Sequence, residues 1–437
     1  MTSNAPILFI DYCRIPDKYA FLSAFGGALT RHPLYVADGY RGRKKGRLRN
    51  GRKSTGFIKV PQTLYRTPLQ ALFINKATPT GPFGECFDEL TDHLAELLRE
   101  RMETGSTNQA AHNLVAAFDF TAKLITQLNP VLMIIWNQFH PLSIAAQSAA
   151  RQSGVKTAFI EYGLLPGTLN FDFLGQMGES AIARYPQDFN ALRIEEQDIR
   201  QAGRLVRQLK QSGANRRKQP GLGQLGETLR QRANGKRIIL FAGHNDHASG
   251  VIPYDDRARQ FHSPFFRSSA EAISALEKIA RDNDWFLIYK PHPFASRAQK
   301  VNGNECLAVI DNVDINDCID LADCVVTVLS QVSYVSLIRN KPLVMLGYNQ
   351  LYGKDCHYQA EVPEEVYSSV RSALSKGFTQ SQKAAWHQHV ARLMKHYLYR
   401  YDGDAPPLTA TREPAQLAEI VSHAIKTGQH RDFQECS

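Results

Sequence analysis

The sequence lacks the features of secreted and membrane-spanning proteins. Its seven cysteines include no C-x-x-C pair, which argues against a disulfide framework and against a zinc site. No apolar run approaches the roughly 18 residues needed to span a bilayer, and the first residues have neither the basic segment nor the apolar core of a secretory signal. These absences predict a cytoplasmic protein whose thiols are reduced.

Signatures of nucleic-acid binding and of internal repeats are also missing. The densest basic run, Arg41-Gly-Arg-Lys-Lys-Gly-Arg-Leu-Arg-Asn-Gly-Arg-Lys53, contains no aromatic residue, and no RNP or recognition-helix pattern accompanies it. The net charge of +10 still favours acidic partners such as a nucleotide, an anionic glycan or the anionic inner leaflet of a membrane. The basic run either reaches such a partner or is a solvated loop.

The chain does contain a regular alternation of β-like and helical segments. At 437 residues it is too long for one compact core, and the alternation favours α/β layers with largely parallel sheets. In the first half we predict strands at 7–10, 34–37, 131–136 and 157–160, with helices at 87–101 and 112–128. In the second half we predict strands at 237–242, 285–289, 324–328 and 343–346, a helix capped by Ser268, and a short helix that ends at 319–322.

A change in composition divides the chain. Residues 213–236 are rich in Gly, Gln, Arg and Lys and poor in large apolar residues, so we predict a linker there. It separates an N-terminal α/β domain, 1–212, from a C-terminal domain, 237–380. The remaining segment, 381–437, begins with a basic, aromatic helical pattern at 382–401. That helix either lies in a membrane interface or, as we favour, packs back across the two domains.

Two motifs end predicted strands of the second half with residues able to hold an anion. In Lys290-Pro-His-Pro293 the prolines restrain His292, whose ring can pair with a phosphate while Lys290 adds charge. A turn histidine that caps the strand is the alternative. Ser330 and Ser333 are predicted to open a helix directly after a strand, a place that suits phosphate. Ordinary N-capping is the commoner role for such serines.

Several carboxylates are candidates for acid, base or nucleophile. Glu161 ends a predicted strand just before a glycine turn, where it could act as general acid or base. A glycine-rich stretch, 171–180, adds Asp172 and Glu179, although surface solubility explains most loop carboxylates. In Gly243-His-Asn-Asp-His-Ala-Ser-Gly250, Asp246 could be a nucleophile or base.

A metal site is considered and not favoured. His244 and His247 flank Asp246, but their spacing is not a recognised ligand set, and no third or fourth ligand is evident. Asp282-Asn-Asp284 matches the D-x-D pattern of metal-dependent transferases, yet it precedes its strand and suits a solvated turn. We therefore predict no metal.

Together these motifs resemble the capsule polysaccharide synthesis family, whose members include bacterial transferases of 3-deoxy-D-manno-octulosonic acid (Kdo). The resemblance covers about residues 131–353. It is clearest in Glu161-Tyr-Gly163 with the downstream Asp172 and Gly175, in the K-P-H-P segment, and in residues 327–353. It implies a GT-B fold, in which two Rossmann-like domains face a cleft, a CMP-activated donor bound mainly by the second domain, and no required metal or other cofactor.

The resemblance also implies roles for individual residues. His292 and Ser330 would hold the CMP phosphate and Ser333 would lie near the sugar carboxylate. Asp246 would attack the anomeric carbon in a retaining mechanism, with Glu161 as the acid/base carboxylate. The family usually has a glutamine a few residues before that aspartate, where this chain has Ala242, Gly243 and His244. The remaining donor-side residues are Lys290, Pro293, Thr327, Gly347 and Tyr352.

The function implied is Kdo transfer from CMP-Kdo to a glycan or glycolipid acceptor in capsule or lipopolysaccharide synthesis, by a cytoplasmic enzyme at or near the inner membrane. Through K-P-H-P alone, the chain also resembles teichoic-acid polyol-phosphate transferases with CDP donors. Those proteins normally carry D-x-S-S where this chain has Leu329-Ser-Gln-Val-Ser333. A non-catalytic glycan-binding export protein and a sugar epimerase on a similar two-domain fold are further alternatives.

Overall fold

A computed structural model describes residues 4–13, 18–38, 55–60, 107–213, 219–246, 248–292, 301–400 and 412–428. The predicted helix at 87–101, the basic run at 41–53, His247 and Pro293 lie outside these ranges. None of the helices within them is long and apolar enough to cross a bilayer.

The strands, in chain order, are β1 (Ile7–Asp11), β2 (Leu34–Asp38), β3 (Thr55–Lys59), β4 (Leu132–Trp136), β5 (Thr157–Tyr162), β6 (Thr168–Asp172), β7 (Ile238–Ala242), β8 (Phe286–Lys290), β9 (Leu307–Val309), β10 (Cys324–Thr327), β11 (Leu343–Met345), β12 (Tyr358–Gln359) and β13 (Leu398–Arg400). They form two sheets. The first has the order β13-β6-β5-β4-β1-β2-β3 and the second β12-β11-β10-β7-β8-β9.

The helices are α1 (Tyr19–Ala28), α2 (Thr107–Leu128), α3 (Pro141–Gln152), α4 (Ala181–Arg184), α5 (Pro186–Ala191), α6 (Glu196–Ser212), α7 (Gln224–Ala233), α8 (Asp256–Phe261), α9 (Ser269–Asp282), α10 (Ile315–Leu321), α11 (Val332–Ile338), α12 (Glu365–Lys376), α13 (Gln380–His396) and α14 (Pro414–Thr427). A short 3-10 turn spans Met177–Glu179.

The predicted α/β alternation is confirmed. Each strand predicted above is present, with ends shifted by one or two residues. The second sheet is parallel throughout, and the first is parallel from β5 to β3, with β6 and β13 antiparallel at one edge. Strands β1, β4, β7 and β8 are buried along their whole length, as expected for strands covered on both faces.

Some predicted helix boundaries differ from the structure and others are confirmed. The helix expected over 112–128 begins at Thr107, and the short helix expected to end at 319–322 ends at Leu321. Ser268 does cap α9, because its hydroxyl accepts a hydrogen bond from the Glu271 backbone N–H. The helix expected to begin at Ser330 begins instead at Val332. The C-terminal helix expected over 382–401 ends at His396, because the next residues pair with β6 as a strand.

The C-terminal segment returns to the first domain, as predicted. Helix α13 packs against α6, and its Trp386 and Val390 are buried in the same apolar cluster as residues of the second sheet. Strand β13 then joins the edge of the first sheet, and α14 packs against α1. The two α/β domains with a helix packed back across them are the predicted GT-B arrangement.

The segment expected to be a linker contains helix α7. Its Leu229 and Ala233 are buried in one cluster with Ile238 of the second sheet, and Leu205 of α6 belongs to the same cluster. Helices α6 and α7 therefore contribute to the core that covers one face of the second sheet. The division of the chain at 212 and 237 stays a prediction.

Candidate active site

The carboxyl edges of the two sheets face each other and touch. The ring of Phe139, just after β4, packs edge-on against the ring of His262 with centroids 5.2 Å apart. A Cβ on Gly178 would lie 1.6 Å from the carbonyl oxygen of Phe261, so the two backbones are in direct contact. Ligands of open α/β sheets sit at such edges, so this junction marks one end of the candidate site.

Glu179 makes polar contacts at this junction. Its buried carboxylate accepts hydrogen bonds from Gln138 Nε2 at 2.7 Å, from Arg257 Nε at 2.8 Å and Nη2 at 2.6 Å, and lies 2.9 Å from His262 Nε2. Burial by itself would raise the pKa of Glu179, but the hydrogen bonds and charges of His262 and Arg257 outweigh it and lower the pKa to about 2. An ionised carboxylate of the first domain is thus tied to the second.

Asp172 anchors the loop that contains Glu179. Its Oδ1 accepts from the N–H groups of Leu174 and Gly175, at 2.8 and 3.1 Å. Its Oδ2 accepts from the Ala181 N–H at 2.8 Å and from the Tyr397 hydroxyl at 2.9 Å. Burial raises the pKa of Asp172 to about 6 against the effect of these donors. The contacts give this carboxylate an anchoring role, joining the loop to the C-terminal segment.

Asp172→Asn is expected to lower the free energy of unfolding by about 2 kcal/mol, because an amide NH₂ would face a donor and leave it unpaired in a buried place. Chemical denaturation measures the loss. Tyr397→Phe, which removes one hydroxyl donor and leaves the carboxylate, should cost only about 1 kcal/mol. Equal stability of Asp172→Asn and wild type would contradict the anchoring role.

Asp246 is a buried carboxylate at the carboxyl edge of the second sheet, after β7. It accepts from the Ser269 backbone N–H at 2.9 Å and from the Ser269 hydroxyl at 2.6 Å, and lies 3.0 Å from His244 Nε2. Burial opposes ionisation, but the charge of His244 and the hydrogen bonds from Ser269 hold the pKa of Asp246 below its usual value. The structure therefore presents an ionised aspartate, oriented by the first turn of α9.

Tyr289 borders the same loop. A Cβ on Gly243 would lie 3.3 Å from the Tyr289 hydroxyl and 3.0 Å from a ring carbon, so this phenol lies directly beside the segment that leads to Asp246. Burial, and then the charge of Asp246, raise the pKa of Tyr289 to about 12. This neutral phenol next to Gly243 was missed in the sequence because Tyr289 is an ordinary-looking residue of a predicted strand.

Thr327, Ser330 and Ser333 make local contacts at the end of β10. The Thr327 hydroxyl donates to the Ala242 carbonyl at 2.8 Å and accepts from the Ser330 N–H at 3.2 Å, which ties β10 to β7. Ser330 Oγ accepts from the Val332 N–H at 3.3 Å. Ser333 is buried, and its Oγ accepts from Asn349 Nδ2 at 3.1 Å. Neither serine caps the helix, whose N-cap residue is Gln331 without a side-chain hydrogen bond, and the phosphate role stays a prediction.

Lys290 and His292 follow β8. The Lys290 ammonium is buried and donates to Gln219 Oε1 at 3.2 Å, and burial lowers its pKa. His292, two residues past the strand, is half-buried. Because β8, β7 and β10 are neighbours in the sheet, the residues after their carboxyl ends, His292, Asp246 and Ser330, share one edge. The structure thus places three predicted residues just past the ends of adjacent strands.

Gly347 and Tyr352 lie at the end of β11. A Cβ on Gly347 would lie 2.3 Å from the His262 carbonyl oxygen, which accepts a hydrogen bond from the Tyr348 N–H at 2.8 Å. Gly347 therefore allows a close approach of two backbones. The half-buried Tyr352 packs edge-on against Tyr348, with ring centroids 4.7 Å apart.

Glu161 lies near the carboxyl end of β5 in the first domain, as predicted, and is half-buried. It pairs in register with Asn170 of β6. Among the described residues, no group of three or more His, Cys, Asp or Glu side chains is arranged to hold a metal ion. The acid/base role of Glu161 stays a prediction.

Lys354 was not predicted as a special residue. Its buried ammonium donates to the carbonyls of Ile182 at 3.0 Å and Pro186 at 3.4 Å and lies 4.8 Å from the centre of the Phe189 ring. Burial lowers the pKa of Lys354 to about 7. A lysine from the end of the second sheet therefore anchors residues 182–189.

The free energy of unfolding is expected to rise with pH through Lys354. Its ordinary pKa of 10.5 exceeds the folded value of about 7, so between these values the unfolded chain binds more protons. Relative to Lys354→Met, the wild type should gain roughly 2–3 kcal/mol from about pH 7 to pH 9. Urea denaturation at both pH values measures this difference, and parallel pH profiles of the two proteins would contradict it.

Comparison with known proteins gives only remote similarity. No family model and no curated protein sequence matches the chain. Among solved structures, it is similar to the beta Kdo 2,7 transferase of Thermosulfurimonas dismutans KpsC, at 16% identity and a TM-score of 0.43 over 70% of this chain and 89% of that chain. It is also similar to the UDP-GlcNAc 2-epimerase of Methanocaldococcus jannaschii, at 12% identity and a TM-score of 0.36 over 87% of this chain and 97% of that chain. It is similar as well to the calicheamicin glycosyltransferase CalG4, at 11% identity and a TM-score of 0.34 over 98% of this chain and 99% of that chain.

Proposed function

We propose that this protein is a retaining glycosyltransferase that transfers Kdo from CMP-Kdo to a glycan or glycolipid acceptor in capsule or lipopolysaccharide synthesis. One observation carries the proposal. An ionised aspartate, Asp246, follows the central strand β7, while His292 and Ser330 follow its two neighbours in the sheet. A nucleophile and groups suited to a leaving phosphate are thereby brought to one edge.

The first step is displacement of CMP. Asp246 attacks the anomeric carbon of Kdo with one carboxylate oxygen, and the bond from that carbon to the phosphate oxygen of CMP breaks. His292, the Ser330 hydroxyl and the charge of Lys290 stabilise the departing phosphate. The hydrogen bonds of Ser269 orient the carboxylate. Fixed donors of this kind replace a metal ion at the leaving group, so we propose metal-independent transfer.

The second step frees the aspartate. Glu161 takes the proton of an acceptor hydroxyl, the hydroxyl oxygen bonds to the anomeric carbon, and the bond to Asp246 breaks. Two inversions give overall retention, as in retaining glycosidases that use a carboxylate nucleophile. We place the reaction in the cytoplasm at the inner face of the membrane, where a glycolipid acceptor would be available.

The nucleotide preference tests the donor assignment. Calorimetric titration of CMP, CDP and UMP should show CMP bound best, and His292→Ala should weaken CMP binding by about tenfold, the loss of one charged phosphate contact. His423→Ala, on the exposed face of α14, is the matched control. CDP bound better than CMP would favour the polyol-phosphate alternative that the K-P-H-P segment suggests, and UMP bound as well as CMP would contradict both assignments.

A further inference from the structure

A cationic groove lies between α6 and α13, on the helices that cover one face of the second sheet. It encloses about 360 Å³ and is lined by Arg200, Arg204 and Arg207 of α6 and by His387 of α13. None of these residues takes part in the transfer reaction proposed above.

The three arginines share one face of their helix. Their spacing of four and then three residues places them along about 10 Å of helix axis, and all three are exposed. The buried face of α6 consists of Ala202, Gly203, Leu205, Val206 and Leu209. The helix is therefore fixed by its apolar face while the guanidinium groups line the groove.

The groove carries positive charge that the fold does not neutralise. Glu196 is the one carboxylate among its lining residues, and it pairs with Arg200 at 2.7 Å. Within the described part of the chain, Arg204 and Arg207 have neither an ion pair nor a side-chain hydrogen bond. Like charges three residues apart on a helix repel each other, so a bound anion would relieve an unfavourable interaction.

The floor of the groove is Gly203. A methyl group there would make only ordinary contacts, with His387 Cε1 at 3.7 Å and Arg207 Nη1 at 3.8 Å. The position is helical, where glycine costs about 1 kcal/mol relative to alanine. Neither backbone conformation nor close packing requires a glycine at this place. The missing side chain keeps the space between the two helices open.

His387 lines the side of the groove opposite α6 and is half-buried. Burial, and then the positive charge of Arg207, lower its pKa. A bound anion would offset the charge of Arg207, so the pKa of His387 is expected to rise when the groove is filled.

We propose that this groove binds a phosphate-bearing anion, held by the guanidinium groups of Arg204 and Arg207 with Arg200 and His387 at its sides. The planar guanidinium fork matches two phosphate oxygens at once. Such a phosphate comes either from an anionic phospholipid headgroup at a membrane surface or from a soluble phosphorylated compound. The site is separate from the edge that carries Asp246, and the inference does not depend on the function proposed above.

Two probes separate these sources. Inorganic pyrophosphate is titrated by calorimetry, and vesicles with and without phosphatidylglycerol are used in co-sedimentation. The wild type should bind at least one probe, and Arg204→Gln with Arg207→Gln should weaken that binding by about tenfold or more. Arg371→Gln with Lys376→Gln, two exposed residues of α12, removes the same charge elsewhere and should have little effect. Binding of phosphatidylglycerol vesicles without pyrophosphate identifies a lipid headgroup, and binding of pyrophosphate identifies a soluble phosphate.

A second variant distinguishes a shaped groove from diffuse charge. Gly203→Leu fills the floor without changing charge and should weaken binding as the arginine substitutions do. The affinity for CMP should stay unchanged in all groove variants. The proposal is overturned if the wild type binds neither probe or if Gly203→Leu binds the probe like wild type. It is also overturned if the α12 control variant loses as much probe affinity as the variant with both groove arginines replaced.

Discussion

Asp246→Asn is expected to lower the rate of sugar transfer by a factor on the order of 10³ or more. The amide cannot form a glycosyl ester, so the first displacement loses its nucleophile. Asparagine keeps the shape of the side chain and one acceptor for the Ser269 hydroxyl or N–H, and the fold should persist. Release of CMP and formation of product from CMP-Kdo measure the rate, and thermal unfolding checks the fold.

The control for Asp246→Asn is Ser269→Ala. It removes one of the two hydrogen bonds that Ser269 makes to the carboxylate but leaves the nucleophile in place. We expect stability to fall by about 1 kcal/mol and the rate to fall far less than in Asp246→Asn. Near-normal transfer by a folded Asp246→Asn protein would restrict Asp246 to anchoring α9, the structural role that its contacts also allow.

Gly178→Ala is expected to lower the free energy of unfolding by about 4 kcal/mol. The added Cβ would lie 1.6 Å from the Phe261 carbonyl oxygen, 2.7 Å from the Phe261 carbonyl carbon and 3.1 Å from the Tyr348 Cβ, and the two nearest of these atoms belong to the backbone. The second domain would have to move away, which would lengthen the contact between Glu179 and His262. Denaturation by urea measures the effect on stability.

Gly27→Ala is the matched control, since a Cβ on this exposed helical glycine of α1 meets nothing within 4 Å. It should be neutral or stabilise the protein by about 0.5–1 kcal/mol. If Gly178→Ala were as stable as Gly27→Ala, the close contact of the two carboxyl edges would not exist in solution.

The sequence predicts the strands well because most are continuous apolar runs buried on both faces, as in β4 and β7. It does not predict β3, β6, β9, β12 or β13. In β13, three residues carry too little periodic signal, and their partner β6 is more than 200 residues away in the chain. The start of α11 is also misplaced. The two serines resemble a helix cap, but Ser330 lies in the turn before the helix.

The residues of the candidate site also differ in how far the sequence predicts them. Asp246 and His292 follow predictable strands, so their shared edge follows from the alternation of strands and helices. Glu179 and Lys354 gain their importance from partners in the other domain, Arg257 and His262 for one and Ile182 and Pro186 for the other. Pairings over such separations depend on how the domains meet, and the local sequence carries no signal for them.

Intact-mass measurement of the purified protein with CMP-Kdo generated in situ tests the central claim most directly. We expect an adduct of one Kdo mass on the wild type, located at Asp246 by peptide mapping and missing from Asp246→Asn. An adduct that persists in Asp246→Asn, or transfer by the wild type with inverted configuration at the anomeric carbon, would contradict the proposed mechanism.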